Sequence, residues 1–216
     1  MALGFRSLAA VVAVWSGSLL LPAQSTDVQN LGVGKLLVAR GGLGDSVFAE
    51  TVILLVRYDH DGTMGITINR PTKVPISRAL RELKGAGERS DPVYSGGPVG
   101  LQNVLGLLNA SAMPEGAIHV TGKTYLVSNK PLMEKTLTEH AGPGEFRVYL
   151  GYCGWGPEQL ENEVRQGVWH VLTGNQDLVF DPDPESLWSR LRERVGQRIA
   201  LARVPPGRTG LARLLP

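Results

Sequence analysis

Cysteine is almost absent from this chain. Cys153 stands alone among 216 residues, so no intrachain disulfide can form and neither a CxxC redox pair nor a thiolate zinc site is available. The missing staple does not exclude an oxidising compartment, because a chain of this length buries a core that needs none. Aromatic residues are scarce, at 6%, and histidines number four. His60, His119, His140 and His170 stand in no Ser-His-Asp order, and Ser95 before Gly96-Gly97 lacks the nucleophile-elbow pattern. Internal repeats and low-complexity segments are also lacking. The longest apolar run, from Leu8 to Leu21, falls short of the ~20 residues that a stable spanning helix needs.

What the chain does have is glycine and proline, 27 and 14 residues, the turn chemistry of a sheet-rich domain. A hydrophobic share of 43% and a charged share of 19% are those of an ordinary globular protein. The net charge of +2 is unevenly spread: residues 190–216 hold seven Arg against Glu193, leaving the remainder mildly acidic. Arg6, the apolar run and Pro22-Ala23 follow one another in the order of a secretory signal peptide. We therefore expect a leader over 1–30, with an uncleaved anchor, other targeting or a mis-assigned start as the alternatives. No lipoprotein cysteine follows the run. The Arg-rich tail, 196–216, is expected to be solvated, with weak contact to anionic membranes as its functional alternative. It matches no nucleic-acid module, and no specific nucleic acid is expected as a partner.

Between leader and tail, β-branched and apolar runs predict strands at 35–39, 51–57 and 64–69, with Asp59-His60-Asp61-Gly62 as the turn of a hairpin. Further strands are expected at 93–95, 104–108, 118–120, 124–127, 146–152 and 169–172. Helical spacing predicts helices over 76–84, 129–141, 158–166 and 184–195, with Asp45 capping one extra turn and Pro157 opening the third helix. Helices inserted between strands that are joined by tight turns indicate an α+β fold: a single domain with a mixed, mostly antiparallel sheet flanked by helices.

Several motifs have bland explanations. Ala117–Thr124 fits a loose phosphate-loop pattern, but its loop positions are Ile, His, Val and Thr and the chain continues as strand, so a hairpin turn accounts for it. Asp59, His60 and Asp61 are adjacent in a tight turn and do not converge on a metal, so no metal site and no cofactor are expected. Gln159 and Glu163 share a helix face, for which a solvated surface is the simplest account.

One ordered set is specific. Gly34-Lys-Leu-Leu-Val-Ala39 is followed by Asp45 and Phe48, Gly65-Ile-Thr-Ile-Asn69-Arg70-Pro71, Gly96-Gly97-Pro98-Val99, and Leu150-Gly-Tyr-Cys-Gly-Trp-Gly-Pro-Glu-Gln-Leu-Glu-Asn-Glu163, then Trp169. Over 34–195 this series resembles the YqgE/AlgH family. The resemblance implies an α+β fold with barrel-like β-structure. It implies no activity or catalytic set, although members have been labelled transcriptional regulators. Cys153 departs from the pattern, standing where relatives commonly carry Ala or Ser. So does the leader, since bacterial relatives are generally cytoplasmic.

The expected function is a non-catalytic binding or regulatory module outside the cytoplasm, taking a small anionic ligand or a protein partner. An enzyme of unknown reaction, a thiol redox sensor using Cys153, and a cytoplasmic transcriptional regulator are the alternatives. The expected ligand-facing set is Asn69, Arg70, Gly96, Gly97, Pro98, Gly154, Trp155 and Gln159. Its glycines would expose backbone N–H groups, the helix beginning at Pro157 would favour an anion, and Arg70 would supply a bidentate partner. Trp155 also has a purely structural reading, as a core residue at a sharp turn. Arg70 has one too, paired with an internal acid such as Glu161.

Overall fold

The strands expected from β-branched and apolar runs form, and with one further strand they assemble into one ten-stranded sheet that curls into a half-barrel. The structure is a computed structural model and describes residues 25–42, 47–139 and 142–202. The apolar leader, the Asp45 cap, His140 with the expected helix end at Ala141, and the tail beyond 202 lie outside the described residues. In chain order the elements are α1 (Ser25–Gln29), β1 (Lys35–Ala39), β2 (Val52–Asp59), β3 (Gly62–Thr67), β4 (Pro71–Pro75), α2 (Ile76–Ala79), β5 (Pro92–Ser95), β6 (Val99–Asn109), β7 (Ile118–Thr121) and β8 (Thr124–Val127). They continue with α3 (Lys130–Glu139), β9 (Phe146–Trp155), α4 (Gln159–Arg165), β10 (Trp169–Thr173), α5 (Gln176–Val179) and α6 (Leu187–Ala202).

The strand order is β10-β1-β2-β3-β9-β6-β8-β7, with β5 bridging β9 to β4. Every pairing is antiparallel except β5 with β9, which runs parallel, so the sheet is mixed as expected. Its two ends meet at one corner: Thr121 Oγ1 donates to the Gly174 carbonyl at 3.3 Å, and Gly174 N–H donates to Gly34 at 3.0 Å. Alternation divides β1 and β2 between two cores. Leu36, Val38 and Leu54 pack with Val179, Leu187 and Leu191 of α5 and α6, whereas Leu37, Ile53 and Leu55 pack with Leu160 and Val164 of α4. A third apolar cluster joins Ile76 and Leu80 to Leu132, Met133 and Leu137, the inward face expected of α3.

Several boundaries differ from the sequence-based expectation. The last helix, expected over 184–195, is α6, which begins at Leu187 and continues into the expected tail as far as Ala202. The segment 71–75, where no strand is expected, is β4, whose Pro71 and Pro75 lie opposite Tyr94 and Pro92. Proline is tolerated there because the strand lies at the sheet's margin. The helix expected to run to Lys84 stops at Ala79. Its first N–H groups donate to the returning chain, Ile76 to Asp91 and Ser77 to Arg89, and Gly85 turns the chain with a positive φ of 82°. Finally, β6 begins five residues early, at Val99.

Candidate functional site

Arg70 sits where β3 has ended and β4 begins. Its two terminal nitrogens each donate at 2.8 Å, one to the Val47 carbonyl and one to the Ala49 carbonyl. This fork holds the 47–49 turn against the sheet. It also replaces the expected internal acid, because Glu161 is engaged elsewhere, accepting from the Tyr58 hydroxyl at 2.6 Å. Asn69, one residue earlier, is buried. It accepts from Val52 N–H at 2.8 Å and donates to the Glu50 carbonyl at 3.0 Å. Asn69 thus closes the β2–β3 end, and it does not line the cavity beside Arg70.

Opposite Arg70 the chain runs through Gly96-Gly97-Pro98. Gly96 N–H donates to Leu150 and its carbonyl accepts from Thr67 N–H, both at 2.8 Å. Gly97 has a φ of 154°, and a methyl group there would lie 2.2 Å from the Tyr152 carbonyl carbon. Only glycine lets the loop lie this close to β9. Beyond it the β6–β9 register slips, with Val99 opposite Tyr152 but Val104 opposite Leu150. The intervening bulge re-aims side chains outward, as bulges do, and leaves Leu101 64% exposed.

These segments enclose a cavity of about 110 Å³ lined by Val47, Phe48, Thr67, Arg70, Ser95, Gly97, Pro98 and Leu101. Of the expected set, Arg70, Gly97 and Pro98 are brought together and Gly96 lies directly behind them. Val47, Phe48, Thr67, Ser95 and Leu101 were missed. The exposed pair Val47 and Leu101 had no signal in an isolated sequence, because both acquire their positions from long-range pairing.

Gly154, Trp155 and Gln159 do not line this cavity. Gly154 is exposed beside Tyr152 and Val99. Trp155 is buried, and its indole donates to Glu163 Oε2 at 2.9 Å. Trp169 donates to the same oxygen at 2.8 Å, and Gln159 Nε2 donates to Glu163 Oε1 at 3.0 Å. The face expected to be solvated is therefore an acceptor for two indoles. The helix dipole expected at Pro157 is displaced as well. α4 starts at Gln159 behind a left-handed Glu158 (φ 59°), and Gln159 Oε1 itself accepts from Gly156 N–H. Phe48 is the wall shared with the cavity, stacking on Trp155 at 6.4 Å and meeting Trp169 edge-on at 5.8 Å.

Cys153 lies beneath the same wall, fully buried. Its sulfur is 3.4 Å from Thr67 Oγ1 and 3.6 Å from the Gly96 carbonyl. Burial pushes its pKa up to about 11, against the weaker opposing pull of the Thr67 hydrogen bond and Arg70. In this conformation Cys153 is a neutral thiol filling space, the opposite of the electropositive, accessible setting a sensor thiol needs.

The profile of the AlgH-like family matches residues 36–200. The chain belongs to the AlgH-like family. It is 34% identical over 190 residues to a UPF0301 protein of Streptomyces avermitilis, covering 84% of this chain and 95% of that one. It is 32% identical over 169 residues to a UPF0301 protein of Caulobacter vibrioides, covering 76% and 87%. The solution structure of the AlgH protein from Pseudomonas aeruginosa shares the fold, with a TM-score of 0.63 at 24% identity over 88% of this chain and 100% of that one. So does protein DIP2367 from Corynebacterium diphtheriae, with a TM-score of 0.64 at 22% identity over 81% and 94%. This AlgH-like chain thus carries the family's α+β half-barrel, and its Arg70 cavity sits on that frame.

Proposed function

We propose that this AlgH-like chain is a non-catalytic recognition module that acts outside the cytoplasm and takes a protein partner at the Arg70 cavity. The observation that supports the reading is the cavity's rim. Val47, Val99 and Leu101 are 57%, 39% and 64% exposed, and large apolar side chains grouped around a depression mark interaction surfaces. The volume of about 110 Å³ suits a single side chain of a partner rather than a drug-sized ligand. Thr67, Ser95 and the remaining donors of Arg70 supply the polar groups that would orient it.

Position-specific cross-linking tests this. A photo-reactive residue at Leu101 should give a discrete adduct with one protein in the native host, and the same residue at Ile118, an exposed apolar site on β7, should not. Equal labelling at both positions would reduce the rim to ordinary exposed surface. The compartment has its own test, motivated by the n-region, apolar run and Pro22-Ala23 order. Native protein should begin between about residues 23 and 30, and an intact Met1 on the mature protein would refute cleavage.

A further inference from the structure

A second cluster lies away from the Arg70 cavity, at the end of β1 beneath α6. Val38 pairs with His170, so both point to the α6 side of the sheet, and alternation puts Arg40 on that side too. Trp188 Nε1 donates to the Ala39 carbonyl at 2.8 Å, which fixes α6 over this strand end. One turn further along α6, the Arg192 guanidinium lies 5.2 Å from the Trp188 ring centre. The same guanidinium lies close against Gly41, where a methyl group would come within 2.6 Å of the Arg192 Cζ. Arg40 Nε is buried with no hydrogen-bond partner. Three basic side chains from β1, β10 and α6 therefore share one patch. Asp27 of α1 lies within electrostatic reach of Arg40.

Such an arrangement repels itself, and it disfavours the cationic form of the His170 ring. Burial first, then Arg40 and Arg192, lower its pKa from 6.5 to about 4. At neutral pH two arginines with no ion pair within 4 Å among the described residues therefore stand beside a neutral imidazole that would take a proton if an anion relieved the field. Guanidinium groups match tetrahedral oxyanions bidentately, and two of them set side by side call for a dianion.

We propose that Arg40, His170 and Arg192 form a binding site for a small tetrahedral dianion of the phosphomonoester class. The site is coupled to pH with a definite sign. A bound dianion raises the His170 pKa, so the complex takes up a proton that the free protein does not. By reciprocity, affinity for a dianion of fixed charge rises as pH falls from 7 towards 5.

The test is an NMR titration of the full chain with sulfate, whose charge does not change in this range, and with inorganic phosphate, at constant ionic strength in chloride. Saturable shifts are expected at Gly41, the His170 ring and the Arg192 side chain, with tighter sulfate binding at pH 5 than at pH 7. Arg192→Gln, on the exposed helix side, should weaken binding roughly tenfold to a hundredfold, the loss of a charge-assisted contact. Arg40→Gln should do likewise, with its fold checked by melting, and Arg194→Gln should change nothing. Vesicles of phosphatidylcholine doped with phosphatidic acid separate a headgroup from a free phosphate. Protection of Gly41 and His170 by the vesicles, abolished by Arg192→Gln, assigns the headgroup; binding of free anion alone assigns the soluble ligand. Binding that is absent in every arm, or equally weakened by Arg194→Gln, overturns the proposal.

Discussion

Arg147→Ala should cost about 3–5 kcal/mol of folding stability, because truncating a long buried side chain and orphaning its acceptors add together. Arg147 lies on β9 and is 3% exposed. Among the described residues it has no carboxylate partner; three backbone carbonyls hold it instead. Nε donates to Pro143 at 2.9 Å, and its two terminal nitrogens donate to Val179 at 3.0 Å and Asp181 at 2.6 Å. The Tyr94 and Phe180 rings cover its faces, at 5.2 and 5.7 Å. One side chain thereby ties β9 to the turn after α5, the turn that launches α6 across the sheet. Lysine keeps the charge but not the planar fork, so Arg147→Lys should recover only part of the loss. Urea denaturation measures both, and an alanine variant within about 1 kcal/mol of wild type would show that the fork is dispensable.

A comparable loss, about 3–5 kcal/mol, is expected for Trp155→Ala. The indole is 5% exposed and fills the space between Phe48, Trp169 and α4. Removing it opens a cavity in that cluster and takes one of the two indole donors from Glu163 Oε2. Trp155→Phe bears mainly on the second effect, since it retains much of the packing and loses the N–H. It should cost about 1–3 kcal/mol, the scale of a buried hydrogen bond whose partner is left unsatisfied. If the alanine variant melts like wild type, Trp155 is not a core residue and a ligand-facing role returns. Selective loss of partner binding in a fully stable variant would carry the same message.

Much of the fold was legible because its signals are local. The β2–β3 and β7–β8 hairpins have β-branched and apolar runs around Asp-Gly and Thr-Gly turns, and β9 and β10 are dense in apolar and aromatic residues. β4 was not legible, because Pro-Thr-Lys-Val-Pro resembles a terminator until β5 pairs with it. Nor was the true start of α4, since a left-handed Glu158 is imposed by context and cannot be foreseen from residue type. At the candidate site Arg70 and the glycine loop could be picked out, but Asn69 could not be distinguished from them. Its side chain serves the backbone of residues 50 and 52, and a buried clamp and a ligand-facing amide have the same letter. The GWGP turn misled in the opposite way. Its tryptophan and glutamine converge on Glu163, a residue whose i,i+4 spacing from Gln159 fits a solvated face equally well until Trp155 and Trp169 are placed beside it.

The Arg70 cavity as a partner site, distinct from the Trp155 cluster behind it, is tested most directly by one measurement: the yield of the Leu101 photo-adduct with and without Val47→Asp. Val47 lies across the cavity on the other rim and is 57% exposed, so a carboxylate there should leave the melting temperature unchanged. If a partner side chain enters between the two rims, Val47→Asp suppresses the adduct. An undiminished adduct from a folded Val47→Asp protein would contradict the account.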